Sequence, residues 1–232
     1  MTTNSRKTAV IIGASRTLGL ALADEYVARG WDVIGTARPG HRTELHDHAE
    51  ASGGQLVVED LDMTSVDQIV DFRRRLVGRR IDLLFVNAAI TNGDEPVEAV
   101  STETFVQIMI TNALSPFRVI EHVDDLVTPT GTIGVMSSSQ GSISLNTNGG
   151  HEVYRASKSA LNQLMRSYAA RHASDNRTLL LINPGWVKTD LGGEGALLTI
   201  DQSIPGVADV IDVHRGKGGL HFVDYQGEIV PW

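Results

Sequence analysis

Thr8-Ala9-Val10-Ile11-Ile12 reads as a buried strand, and Gly13 follows it at once. Gly13-Ala14-Ser15-Arg16-Thr17-Leu18-Gly19 makes a turn, residues 18–29 carry a helical pattern closed by Gly30, and residues 31–37 read as a strand again. Strand, glycine turn, helix and strand in this order form a βαβ unit. Such a unit demands a right-handed crossover and a parallel sheet. The N–H groups that open its helix make a ready anion site. Gly13 and Gly19 allow a pyrophosphate to approach the backbone closely. A glycine pair alone also fits an ordinary tight turn; its place between strand and helix favours the nucleotide.

The alternation continues. Strands are expected at 55–59, 81–86, 131–137, 178–183 and 220–223, and helices at 41–52, 65–76, 101–125, 152–174 and 200–213. Pro116 should kink or adjust the helix around it. The expectation is a Rossmann-type, doubly wound α/β fold: a mostly seven-stranded parallel sheet flanked by helices, with residues 1–232 forming one domain. The net charge of −8 and the lack of a basic run argue against a nucleic-acid or anionic-membrane partner. Residues 1–7 are short and polar, and no run of about twenty apolar residues follows. With no cysteine in the chain, neither disulfides nor thiolate metal sites arise. A cytoplasmic location is expected. His46-x-His48 lacks helical i,i+4 spacing and a third ligand, so it reads as surface, and no metal site is expected.

Ligands of open α/β sheets bind at the carboxyl ends of the strands. The second strand ends in Thr36-Ala37-Arg38-Pro39, with no acid at its tip. A carboxylate there would select a free 2′-hydroxyl, and an arginine a 2′-phosphate. Arg38, with Arg16 from the turn, therefore favours NADP(H) over NAD(H); the plainer alternative makes Arg38 a solvated loop charge. Asp62 can accept from an adenine amine with Met63 packed beside it. Asp62 or Thr64 can equally cap the next helix. Asn87-Ala88-Ala89 ends the fourth strand in small residues that let a cofactor lie against the backbone. Pro184-Gly185-Trp186-Val187-Lys188-Thr189 leaves the sixth strand at the same edge, and 190–198, rich in glycine, reads as a mobile loop able to close over a substrate.

Tyr154 and Lys158 lie four apart on a helix, hence on one face. An adjacent fixed cation favours the phenolate and lowers the tyrosine pKa. A serine facing the same point can hold a carbonyl oxygen while the tyrosine protonates it. Ser138 falls at the sheet edge sixteen residues earlier, with Ser137 and Ser139 as rivals. Asn112, amid Met109, Ile110, Ala113 and Leu114, needs hydrogen-bond partners; structural bridging and function are both open to it.

In this order, the turn Gly13 to Gly19, Asn87-Ala88-Ala89, Asn112, Ser138, Tyr154 with Lys158, and Pro184-Gly185 resemble the short-chain dehydrogenase/reductase family over nearly the whole chain. The stretches Ser138-Ser139-Gln140-Gly141-Ser142, Tyr154 to Asn162, Gly185 to Asp190 and Asp224 to Trp232 are similar to its C-signal-like branch of small carbonyl reductases. The resemblance implies an NADP(H)-dependent oxidoreductase that reduces a small carbonyl or oxidises the corresponding secondary alcohol. It makes Tyr154 the general acid/base and Lys158 the residue that lowers its pKa and binds the nicotinamide ribose. Ser138 then polarises the carbonyl, and Asn112 holds a water that relays protons through Lys158. Thr189 binds near the carboxamide or pyrophosphate, Val187 belongs to the same segment, and Asn87 lines the cofactor cleft. A homodimer through helices 101–125 and 152–174 is implied. The C-signal likeness also carries an alternative, a signalling or regulatory protein using the fold for dinucleotide sensing or partner binding.

Three positions depart from the family pattern. Thr17 replaces the middle glycine of the turn, so its side chain should crowd the pyrophosphate or require a different loop. Ala89 replaces a glycine. The interval from Ser138 to Tyr154 is long, which reads as an insertion in 142–150. Segments 91–95, 142–150 and 191–198 are expected to line the substrate pocket.

Overall fold

A computed structural model of the chain describes residues 6–232. Most of the polar opening segment, residues 1–5, lies outside the described part. Seven strands form one sheet: β1 (Thr8–Ile12), β2 (Asp32–Ala37), β3 (Leu56–Asp60), β4 (Ile81–Val86), β5 (Val127–Met136), β6 (Thr178–Asn183) and β7 (Gly219–Asp224). All neighbouring pairs are parallel, in the order β3-β2-β1-β4-β5-β6-β7. The order reverses between β1 and β4, which opens a crevice at their carboxyl ends. Among the described residues, no helix is long and apolar enough to cross a membrane.

The central strands are apolar along their whole length because both faces are covered. On one face pack α1 (Thr17–Ala28), α2 (Glu44–Ala51) and α7 (Ile200–His214), through Leu22, Tyr26, Leu45, Val207 and Ile211. On the other pack α3 (Val66–Leu76), α5 (Ser115–Val123) and α6 (Glu152–Arg171), through Phe72, Ile120, Leu161, Met165 and Tyr168. Burying one such side chain contributes about 1.5–3 kcal/mol, so this double layer fixes the sheet edge.

Several boundaries differ from expectation for identifiable reasons. The second helix starts at Glu44, because Thr43 and His46 form a capping box in which the Thr43 N–H donates to His46 Nδ1 at 3.1 Å. Ser65, not Asp62 or Thr64, caps α3 and accepts from the Gln68 N–H. β5 begins at Val127 rather than 131, with a register shift where Pro129 and Gly131 interrupt the ladder. The long helix expected at 101–125 is four pieces: α4 (Thr102–Met109), a π turn (Ile110–Leu114), α5 and a 3-10 turn (Asp124–Leu126). Pro116 has no N–H for the Asn112 carbonyl four residues earlier. The ladder widens before it, and the Ser115 N–H reaches back to the Ile110 carbonyl.

Candidate functional site

The site starts where β1, α1 and β4 meet backbone to backbone. Gly13 has φ +79°, and a Cβ there would stand 2.5 Å from the Ala88 Cβ. A Cβ on Gly19 would stand 2.1 Å from the Gly13 carbonyl oxygen and 2.7 Å from Asn87 Nδ2. Asn87 Nδ2 donates to that same Gly13 oxygen at 3.0 Å, so its side chain braces the turn. Thr36 Oγ1 accepts from the Gly13 N–H at 2.9 Å. No side chain caps α1 at Arg16. The first N–H groups of a helix have no partner within it, so this end of α1 is an electropositive cradle.

Thr17 takes φ +49°, the left-handed region. The threonine keeps a backbone conformation suited to glycine, so the departure appears as local strain, of about 1–2 kcal/mol for an L residue. Ser15 and Leu18 flank it in the turn. Arg38 is exposed just past β2, a position open both to a 2′-phosphate partner and to a solvated loop charge. Arg16 instead bonds Asp190, which lies beyond β6.

Asp62 accepts from the Thr64 N–H and hydroxyl at 2.9 and 2.7 Å, an arrangement that shapes the turn after β3. Met63 is buried in the core and forms a wall there. Beyond β6, Gly185 has φ +80°, and a Cβ on it would press within 2.5 Å of Leu198. The following loop, 190–198, reads from its glycines as mobile. Its base is stitched: the Lys188 N–H donates to the Leu198 carbonyl at 2.8 Å, and the Leu198 N–H to the Trp186 carbonyl at 3.0 Å. Val187 is buried, and Thr189 Oγ1 accepts from the Gly192 N–H at 3.0 Å.

The polar corner lies at the ends of β5 and α6. Of the three serines, Ser137 is buried and donates to Asn162 Oδ1 at 2.6 Å, facing away from the crevice. Ser139 begins a single 3-10 turn, 139–141. Ser138 is extended, accepts from the Gln140 N–H at 3.1 Å, and its hydroxyl lies beside the Tyr154 phenol. Tyr154 and Lys158 stand on one face of α6, with the Lys158 Nζ 5.7 Å from the tyrosine ring centroid. The Lys158 Nζ donates to the Met136 carbonyl at 2.8 Å.

The Asn112 side chain is fully engaged. Oδ1 accepts from the Ile90 N–H at 2.8 Å, and Nδ2 donates to the Ile90 carbonyl at 2.8 Å and to Ser157 Oγ at 3.0 Å. Ser157 Oγ in turn donates to the Tyr154 carbonyl at 2.7 Å. Asn112 thus ties the end of β4 to the turn of α6 that carries the tyrosine.

Electrostatics here reverse one expectation. Burial pushes the Tyr154 phenol above its ordinary value, and the polar Ser138 hydroxyl beside it offsets this only in part. Burial also pushes the Lys158 ammonium down to about 7. The neighbouring cation does not lower the tyrosine in this state, because desolvation disfavours both charged forms at once. Sequence reasoning missed Ile90, Met136, Ser157 and Asn162. They are contacts across the fold and carry no local signal.

A group with metal-ligand spacing does occur elsewhere: Glu121, Asp124 and His172. Its carboxylates are already engaged, Glu121 by Arg171 and Asp124 by the Tyr168 hydroxyl.

A parallel sheet with a glycine turn at its switch point, beside a buried Tyr154–Lys158 pair and a half-buried Ser138, defines a nucleotide-dependent oxidoreductase class. Comparison with known proteins agrees. The short chain dehydrogenase family model matches residues 7–196. The structure superposes with TM-score 0.97 on one from Burkholderia multivorans described as a short-chain dehydrogenase/reductase with bound NADP, at 52% identity over 98% of this chain and 100% of that one. A carbonyl reductase from Pseudomonas aeruginosa PAO1 in complex with NADP gives TM-score 0.90 at 35% identity, over 98% and 100%. The C-signal protein of Myxococcus xanthus is 33% identical over 66% of this chain and 93% of its own length. The chain belongs to the short-chain dehydrogenase/reductase family, related to its C-signal-like branch, and is an NAD(P)-dependent oxidoreductase.

Proposed function

We propose that the protein is an NADP(H)-dependent carbonyl reductase acting on a small ketone or aldehyde, or on the secondary alcohol in reverse. One observation carries this reading: the buried Tyr154 phenol lies beside Ser138, which follows the end of β5, and the Lys158 Nζ stands 5.7 Å from its ring centroid. The cofactor fits the residues present, since the start of α1 carries no side-chain cap and its first N–H groups are left for an anion. Gly13, Ser15, Thr17, Leu18 and Gly19 would hold its pyrophosphate, and Arg38 and Arg16 its 2′-phosphate. Asp62 and Met63 would flank the adenine. Asn87, Ala88, Ala89, Pro184, Gly185, Val187 and Thr189 would line the nicotinamide half, with Lys158 on the ribose. NADPH, when bound, supplies the hydride to the carbonyl carbon.

Ser138 donates a hydrogen bond to the carbonyl oxygen. Tyr154 transfers its phenolic proton to that oxygen as negative charge grows there. A phenol kept protonated by burial is in the right state to act as the acid. The phenolate is then reprotonated by way of Lys158, and Asn112 would hold the relaying water. Positioned proton transfer of this kind contributes about 10²- to 10⁴-fold.

Tyr154→Phe is therefore expected to lower kcat for NADPH-dependent ketone reduction by at least about 10²-fold, with NADPH affinity unchanged. NADPH should raise the melting temperature of the parent more than NADH at equal concentration. Undiminished turnover by the variant would remove Tyr154 from the chemistry, and equal stabilisation by NADH would remove the 2′-phosphate role from Arg38.

The protein acts as a homodimer in this reading. Support comes from an apolar groove of about 340 Å³ along Met109, Ile110, Ala113, Ala160 and Leu164, where Leu114 and Leu164 stay exposed. Sedimentation of Leu164→Glu should give a monomer where the parent gives a dimer; a monomeric parent would refute it. The cysteine-free composition fits a cytoplasmic site of action.

A further inference from the structure

Segment 142–150 joins the serine corner to the helix that carries Tyr154 and Lys158. Its start is fixed: the Gly141 carbonyl accepts from Ser159 Oγ at 3.0 Å and Asn162 Nδ2 at 3.2 Å, both on α6. Its end is fixed as well, where the His151 N–H donates to Asp94 Oδ1 at 2.6 Å. Between these points the segment is mostly exposed, and one attachment stands out. Ser144 donates both its N–H, at 3.2 Å, and its hydroxyl, at 2.7 Å, to the backbone oxygen of Trp232.

Trp232 is far away in sequence and is held from three directions. Its ring lies 5.5 Å from the Phe222 ring on β7 and 4.8 Å below the Arg166 guanidinium on α6. The strand-like stretch before it pairs with β7, the Val230 N–H donating to the Phe222 carbonyl at 2.9 Å. Trp232 thus transmits the position of α6 and β7 to Ser144. The residues on either side of Ser144 are Ile143, 76% exposed, and Leu145, 47% exposed. Both belong to the segment that runs from Gly141, packed against Lys158, to His151 at the start of α6, and apolar side chains on such a segment suit an apolar ligand.

We propose that Trp232 is a positioning residue for the substrate: through Ser144 it sets where Ile143 and Leu145 stand at the mouth of the crevice, and so selects apolar carbonyl compounds. This rests on the carbonyl-reductase reading above. The tryptophan touches neither the reacting atoms nor the cofactor cradle. Its effect should therefore fall on KM for substrates with an apolar body and spare NADPH binding. A residue that merely filled space would lower stability without that split.

The test compares the parent with Trp232→Ala, Ser144→Ala and Trp232→Phe. Hydrogen exchange in Trp232→Ala should quicken by about ten-fold at amides 143–148 and stay unchanged in 157–165. KM for a long-chain methyl ketone should rise about five-fold, with kcat and NADPH affinity within about two-fold of the parent. Ser144→Ala should fall between, because its N–H remains, and Trp232→Phe should restore parental values by keeping an aromatic ring under Arg166. Unchanged exchange at 143–148 overturns the proposal, and so does a parallel loss of kcat, NADPH affinity and melting temperature with KM unmoved. If Trp232→Ala does not fold, Ser144→Ala decides: it must quicken exchange at 143–148 or the proposal fails. A parent that reduces no carbonyl refutes the carbonyl-reductase reading, whereas the exchange experiment still decides whether the clasp exists.

Discussion

Two regions of one sheet edge are built on opposite principles. The turn from Gly13 to Gly19 is held by backbone lying against backbone, with room for no side chain at either glycine. The corner formed by Ser138, Tyr154 and Lys158 is held by buried polar side chains that bond across the fold, from Ile90 through Asn112 and Ser157 and from Met136 to Lys158. The first region should respond to size and be indifferent to pH. The second should respond to charge and tolerate changes in volume. A cradle for a polyanion can be made of fixed N–H dipoles, whereas a proton-transfer site needs groups that titrate.

The largest effect is expected from adding a single methyl to the first region. In Gly19→Ala the new carbon would meet the Gly13 oxygen at 2.1 Å, and that oxygen belongs to backbone already bonded to Asn87. Neither neighbour can rotate away, so β1 and α1 must separate. Overpacking typically costs about 1–3 kcal/mol, and a contact this close with fixed backbone places Gly19→Ala above that range, at about 4 kcal/mol. Urea denaturation should report that loss to a similar extent at pH 6 and pH 9. A loss that varied with pH would break the contrast between the regions.

The second region gives the complementary result. Lys158 has its folded-state pKa depressed to about 7 by burial. In the unfolded chain a lysine titrates near its ordinary value of about 10.4. Between these values the unfolded state binds a proton that the folded state does not, so this group makes stability rise with pH across that window. Below about pH 7 both states are protonated, and the buried ammonium exacts its full cost. Lys158→Met removes this dependence. The stability of the variant relative to the parent should be most favourable near pH 6 and decline by roughly 3 kcal/mol toward pH 10. A pH-independent difference would mean that the ammonium is solvated, and the comparison would lose one of its two sides.

The same contrast explains what the sequence disclosed. Glycines between a strand and a helix, and a tyrosine four residues before a lysine, are local patterns, and both lie where their spacing placed them. The partners of the second region are long-range: nothing near Asn112 in sequence points to Ile90, 22 residues away, or to Ser157, 45 residues away. Pro116 announced an irregularity, but only the packed helix shows that it becomes a π turn centred on Asn112. The direction of the Tyr154 shift was misread because spacing reveals a neighbouring charge and hides the depth of burial, which here outweighs it. Ser138 was separable from Ser137 only once the end of β5 was known.

Thr17 is the exception within the first region, and it produces the smallest effect. Its position resists conformation, not volume: φ +49° is unfavourable for any residue with a Cβ and worst for a branched one. Relief of that strain in Thr17→Gly is worth about 1–2 kcal/mol. Glycine also loses more backbone freedom on folding, which takes back about 0.4–1 kcal/mol. The net gain is about 0.5–1 kcal/mol, which for a chain of this size raises the melting temperature by roughly 1–4 °C. NADPH affinity should rise with it, because the same substitution clears a side chain from the cradle. A gain in stability without a gain in affinity would assign the threonine to the backbone of the turn alone. A loss of both would mean that its side chain makes a favourable contact with the cofactor, and the first region would then no longer be one of backbone only.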